Sequence, residues 1–378
     1  MAHIPVVERP GSPAEPAASG AGSSPRGGPR RGLKPVAAAL AVLVAAGLVL
    51  FALREPAVTP VAPPPAEPAP PGLLPPAADG GAGFAVEVSG LTTAALPGGR
   101  LTVVYDTFAV TALPGDTLTL RARYAASPRA QATGGTLAPA GPDAWTWTAP
   151  AEPGVSSVHI ATASGDDVRL QAVTLAPFDH TADAIGDYAI GDYQDEPMNG
   201  DPVYDQPPGF VRVTPDLVDL PVSPHFRLGQ FLAKQRPGPG QAEWPKYVAL
   251  SAPLLVKLER LLAAVRAAGR PADGLTVMSG FRTPAYNAAI GNTTVYSRHL
   301  YGDAADVFVD ADGDGVMDDL DGDGAVTRAD AEWLAALVEG LSGEPWYRDL
   351  VGGLGVYDAN AVRGPFVHVD VRGQPVRW

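Results

Sequence analysis

The residues best suited to chemistry lie in two blocks. One is Ser297-Arg298-His299-Leu300-Tyr301-Gly302-Asp303-Ala304-Ala305-Asp306, and the other, far downstream, is Phe366-Val367-His368-Val369-Asp370. His299, Asp306 seven positions later and the distant His368 offer two imidazoles and a carboxylate. Those are the donor types of a catalytic zinc site, whose three protein ligands leave a fourth position open to water. The apolar residues beside them (Val307, Phe308, Val309; Phe366, Val367, Val369) read as buried strands. Two strands of one sheet can therefore present Asp306 and His368 to one ion, with His299 brought by the loop. His368 and Asp370 stand two apart on a strand and share a face. One buried histidine alone is ordinarily a hydrogen-bonded core residue, so the weight rests on the set.

A third block, Ser279-Gly280-Phe281-Arg282-Thr283-Pro284-Ala285-Tyr286-Asn287, precedes these two. Taken in order and spacing, the blocks resemble the zinc D-alanyl-D-alanine carboxypeptidase and murein endopeptidase family over roughly residues 222–378. The resemblance implies the hedgehog-type metallopeptidase fold, zinc held by His299, Asp306 and His368, and peptidoglycan stem peptides as substrate. It also implies that Arg282 orients an acidic group of the substrate and that Ser297 lies in the substrate site. A guanidinium is suited to that task because it grips a carboxylate with two parallel hydrogen bonds. The chain departs from the family at Pro365, where several relatives carry an acidic base three residues before the late histidine. Asp370 is then the candidate base. The alternative makes Asp370 the third ligand and His368 its polar partner. The missing base also keeps open a catalytically idle envelope-binding module.

Between these blocks, residues 310–330 form an acidic insert in which two calcium-loop patterns overlap. The first uses Asp310, Asp312, Asp314 and Asp318, with Gly315 at the turn and Asp321 at position twelve. The second uses Asp319, Asp321 and Asp323, with Gly324 at the turn, Thr327 at position nine and Asp330 at position twelve. Carboxylates so close repel one another without cations. Structural calcium is therefore expected, with residues 328–341 as an exit helix.

Several elements must position these residues. Ser251 and Pro253 open a helix whose apolar face is Leu254, Leu255, Leu258, Leu261, Leu262 and Val265, and Gly269 ends it. Leu275–Met278 reads as a buried strand leading to Arg282. Thr283 and Pro284 start a short helix ending at Gly291. His225 has no partner block and reads as structural.

The rest of the chain supports this unit. The formal charge is −14, and residues 1–34 carry five basic and two acidic side chains, so the remainder is near −17. Such an acidic body argues against nucleic acid as a partner. There is no cysteine, which excludes disulfides, thiolate metal sites and a cysteine nucleophile. Residues 1–34 read as a disordered cytoplasmic tail and 35–53 as a transmembrane anchor. Val36–Leu53 is eighteen residues without a charge, about 27 Å as a helix, which is close to a bilayer core. The basic residues before it place the downstream domains outside the cytoplasm, in the periplasm or cell envelope; a cleaved signal peptide is the rival reading. Residues 54–82 are a proline-rich spacer. Residues 83–177 alternate in short runs and predict an all-β immunoglobulin-like sandwich. Trp145 and Trp147 read as core rather than as a sugar platform. Residues 178–222 are a connector in which Ala184-Ile185-Gly186-Asp187-Tyr188 nearly repeats as Ala189-Ile190-Gly191-Asp192-Tyr193. The expected architecture is thus a single transmembrane helix, the sandwich, and an α+β zinc peptidase domain at 223–378 built on a small antiparallel sheet.

Overall fold

In this computed structural model the described residues are 81–91 and 99–378. The tail, the Val36–Leu53 run and nearly all of the proline-rich spacer lie outside them. Among the described residues no helix is long and apolar enough to cross a membrane. The fold is mixed α and β, with several sheets and few helices.

Nine strands come first: β1 (Gly81–Ser89), β2 (Arg100–Tyr105), β3 (Thr107–Ala112), β4 (Thr117–Arg123), β5 (Arg129–Ala132), β6 (Thr136–Pro139), β7 (Ala144–Thr148), β8 (Gly154–Ala161) and β9 (Asp167–Thr174). They form a five-stranded sheet, β2-β1-β4-β7-β6, and a four-stranded sheet, β3-β9-β8-β5. Strand β4 shows why. Leu118, Leu120 and Ala122 are buried, and the residues between them face outward, so the strand lays one apolar face on a core. That core includes Tyr105, Phe108 and Trp147. Trp145 is buried too, and Trp147 Nε1 donates to the Gly134 carbonyl at 2.9 Å; both indoles belong to the interior.

The connector folds back on the downstream unit. Strand β10 (Ala176–Pro177) is followed by a small hairpin, β11 (Ala184–Ile185) and β12 (Tyr188–Ala189). Then β13 (Gly209–Val213) pairs with β10 on one side and with β14 (Lys246–Val248) on the other. Tyr188, Ile190 and Tyr193, from the near-repeat, are all buried. A backbone bond from Ala109 to Val222 (2.8 Å) and the Arg260 guanidinium over the Tyr105 ring (5.5 Å) join the nine-strand unit to the connector and the downstream unit.

Helix α1 (Ala252–Ala267) buries the expected apolar face, although Ser251 at its N-cap makes no side-chain capping bond. Strand β15 (Thr276–Ser279) leads into α2 (Pro284–Ala289), where the Thr283 hydroxyl accepts from Tyr286 N. Strand β16 (Ala304–Phe308), helix α3 (Arg328–Leu341), β17 (Gly353–Tyr357), β18 (Phe366–Asp370) and β19 (Val376–Arg377) complete the chain. The sheet order is β15-β16-β18-β17-β19. All neighbours are antiparallel except β17 and β19. This corrects the expectation of a purely antiparallel sheet. The chain reverses after β18 through Gly373, where φ is +81°, and β19 docks on the far edge of β17, so the two run the same way. Strands β16 and β18 are buried on both faces.

Candidate metal centre

The β16–β18 register sets Asp306 directly opposite His368, and Ala304 opposite Asp370. Directly opposed residues bring their Cβ atoms to about 5 Å, so the pairing alone joins two donors separated widely in sequence. His299 arrives on the short helical turn Arg298–Tyr301, which ends at Gly302 with φ +69°. A Cβ on Gly302 would lie 2.2 Å from the Ala249 carbonyl oxygen. Glycine is therefore required there twice over, by the left-handed backbone and by the close approach.

Hydrogen bonds fix how the donors point. His299 Nδ1 donates to the Gly280 carbonyl at 2.7 Å, which leaves the Nε2 lone pair 3.2 Å from Asp306 Oδ1. His368 Nε2 donates to Asp370 Oδ2 at 3.1 Å, which leaves Nδ1 3.0 Å from the same Asp306 oxygen. One atom from each of the three side chains lies within 4.8 Å of the others, and all three residues are buried. With both rings neutral, three acceptors face one another, an arrangement that a cation between them satisfies. The donor set, its orientation and its burial all fit zinc.

Charge supports the same reading. Burial alone would raise the Asp306 carboxyl, but His299 and His368 hold it well below the usual carboxylate range. Burial lowers His299 despite the Asp306 charge, which keeps the imidazole neutral as a ligand must be. Burial pulls His368 down as well, but Asp306 and Asp370 outweigh it and raise the ring.

Around the donors sits a second set of groups. Arg282 Nη2 donates to Asp306 Oδ2 at 2.7 Å, and its Nε donates to Ser279 Oγ at 2.8 Å. The two oxygens of Asp306 thus have separate tasks, one toward the histidines and one toward Arg282. Asp370 is wholly buried, and it accepts from Gly353 N at 2.7 Å, from Arg372 and from His368. Lys257, also buried, donates to the Asp370 carbonyl at 2.7 Å and to the Leu350 carbonyl at 3.0 Å. Desolvation lowers its ammonium to about 8. His225 is held between Glu259 (2.7 Å) and Arg266 (3.0 Å), away from the donors, as a structural residue.

A cavity of about 560 Å³ opens on the three donors. Arg282 and Ser297 line it, together with Tyr296, Tyr357 and Trp378. Asp370 does not line it, and among the described residues Asp306 is the one acidic side chain that does. The place expected for a base is therefore behind His368, not beside the open face. A separate cavity of about 330 Å³, near Leu91 and Gly209, contains none of the three donors.

Sequence reasoning missed the clamp on the His299 turn. Arg298 is buried, paired with Asp303, and held between the rings of Tyr204 (4.5 Å) and Tyr301 (4.4 Å). Tyr193 donates its hydroxyl to the Leu300 carbonyl at 2.6 Å. The tyrosines of the connector were the available signal. Trp378 was missed too; its ring lies 5.1 Å from that of His368.

The acidic insert gathers two carboxylate triplets, Asp310–Asp312–Asp318 and Asp319–Asp321–Asp330. Asp321, expected to serve both loops, groups with Asp319 and Asp330. The two loops repeat one set of bonds. Asp310 accepts from Gly313 and Gly315, and Asp319 accepts from Gly322 and Gly324. Asp314 and Asp323 fall in neither triplet; they accept from Val316 N and Ala325 N. Asp330 is buried and takes the backbone N–H groups of Leu320, Asp321 and Thr327. The exit helix is present as α3, with Thr327 as its cap.

Residues 241–317 match the profile of the peptidase M15 family. The matched stretch runs from before α1 through Arg282, His299 and Asp306; His368 lies beyond it. Peptidases of this family depend on zinc, and the match supports a zinc metallopeptidase in general. No curated protein and no solved structure matches the chain.

Proposed function

We propose that the protein is a zinc metallopeptidase that hydrolyses peptidoglycan peptides, as a D,D-carboxypeptidase or a murein endopeptidase. The observation that carries the reading is the convergence of His299, Asp306 and His368 on the floor of an open cavity. A zinc ion there supplies Lewis-acid polarisation of a scissile carbonyl and a water made acidic near neutral pH. The chain's own groups do the positioning. Gly280 and Asp370 fix the two rings, and Arg282 holds the far oxygen of Asp306. In this reading Asp370 orients His368 rather than taking a proton from the open face. The nine-strand unit, expected to be immunoglobulin-like, supports the peptidase unit. The Val36–Leu53 run anchors both at the outer face of a membrane.

One observation favours the idle binding module: among the described residues the cavity is lined by no acidic side chain besides Asp306. Digestion of purified peptidoglycan by the zinc-loaded full-length protein, followed by mass spectrometry, decides between the readings. Loss of a terminal D-alanine marks the carboxypeptidase, and cleaved cross-links mark the endopeptidase. Wall binding without either product marks the idle module.

Calcium in the insert belongs to the same reading. Asp310, Asp312 and Asp318 would hold one ion, and Asp319, Asp321 and Asp330 a second. The insert follows β16, and its Val316 lies beside Gly364, the chain neighbour of the cavity-lining Arg363. Ligation of the folded state alone stabilises it by about 2.7 kcal/mol at a hundredfold excess over Kd. Millimolar calcium is therefore expected to raise the melting temperature of the full-length protein by several degrees, and Asp312→Asn with Asp321→Asn to remove that rise. A melting curve indifferent to calcium reduces the insert to an acidic surface loop.

A further inference from the structure

Arg282, the residue expected to receive the substrate's acidic group, is engaged by Asp306 and Ser279. Arg298, Arg363 and Arg372 also line the cavity, and two of them are engaged. Arg298 is paired with Asp303 and buried between two tyrosine rings. Arg372 is paired with Asp370. Arg363 is different. Among the described residues no carboxylate pairs with it, and its one side-chain hydrogen bond is a long one, 3.5 Å to the Asp358 carbonyl. Of the four arginines that line the cavity, it alone among the described residues has no carboxylate partner.

Arg363 is nevertheless held in place. Its guanidinium lies 4.2 Å over the Phe366 ring and 5.6 Å from the Tyr357 ring, and those two rings stack at 4.6 Å and 2°. A guanidinium held over an aromatic ring by this attraction still has N–H groups to offer a carboxylate. The location suits a substrate group. Phe366 and His368 share a face of β18, about 7 Å apart along the strand. An extended peptide covers that distance in about two residues.

Resting on the peptidase reading, we infer that Arg363 is the specificity residue of this cavity and receives a free carboxylate within two residues of the scissile bond. The substrate class is then peptides with an anionic end close to the cleaved bond, in preference to internal or amidated segments.

The test compares diacetyl-lysyl-D-alanyl-D-alanine with the same peptide carrying a C-terminal amide, using zinc-loaded full-length protein. A charge-assisted contact of this kind gives the parent a preference of about tenfold or more in kcat/KM for the free carboxylate. Arg363→Ala is expected to collapse that ratio, mostly through KM, and Arg363→Lys to retain part of it. Zinc content and melting temperature, measured alongside, confirm an intact fold. A parent without the preference, or an Arg363→Ala variant that keeps it, overturns the inference. Hydrolysis of neither peptide would instead count against the peptidase reading. Calorimetric binding of the two peptides then decides Arg363 by the same ratio: a carboxylate preference lost in Arg363→Ala upholds it, and no preference overturns it.

Discussion

His299→Ala combined with His368→Ala is expected to strip zinc from the full-length protein and to take peptide hydrolysis to background. The double change removes both nitrogen donors and leaves Asp306, whose other oxygen is held by Arg282. One carboxylate cannot retain the ion. Loss of the metal's charge stabilisation, several kcal/mol, corresponds to a fall in kcat/KM of about a thousandfold or more. Elemental analysis of the parent and variant gives the first readout, and turnover gives the second. An unchanged zinc content would remove these histidines from the site. The parent should also show a defined pH dependence. A ligating imidazole must be unprotonated, and Asp306 and Asp370 raise His368 against the effect of burial. Zinc affinity should therefore fall as pH drops through that raised value and level off above it.

The donor triad was legible because it needs little more than local pattern. Apolar runs around Asp306 and His368 mark two buried strands, and any sheet that makes them neighbours offers both side chains to one point. The features that stayed hidden depend on contacts distant in sequence. Nothing near Arg298 reveals that Tyr204, from the connector, covers its guanidinium. The period of a strand places Asp370 on the same side as His368, but it does not say which of them faces the cavity. That is settled by Gly353 N and Arg372, which draw the Asp370 carboxylate inward. The Arg282 expectation met a similar limit. A strand-end arginine beside a metal site can serve substrate, ligand or both, and its 2.7 Å contact with Asp306 depends on a strand pairing the sequence does not spell out. In the insert, reading twelve-residue windows let Asp321 count twice. In the fold its carboxylate groups with Asp319 and Asp330.

Asp370→Asn is expected to weaken zinc binding by about tenfold to a hundredfold, and turnover at limiting zinc with it. The carboxylate takes N–H donors on both oxygens: Gly353 and Arg372 on Oδ1, and His368 and Arg372 on Oδ2. An asparagine amide must turn its NH₂ toward one of these sets, so either orientation aims a donor at donors. The site is fully buried, and the Arg372 guanidinium loses its counter-charge. Breaking a buried pair in this way costs about 3–5 kcal/mol of stability, so the melting temperature should fall as well. His368 then loses the acceptor that holds Nε2–H and thereby keeps Nδ1 free for the metal. Zinc titration separates orientation from proton transfer. If Asp370 acts through His368, saturating zinc restores occupancy and a substantial share of turnover together. Full zinc occupancy with hydrolysis still at background would instead return Asp370 to the role of the base.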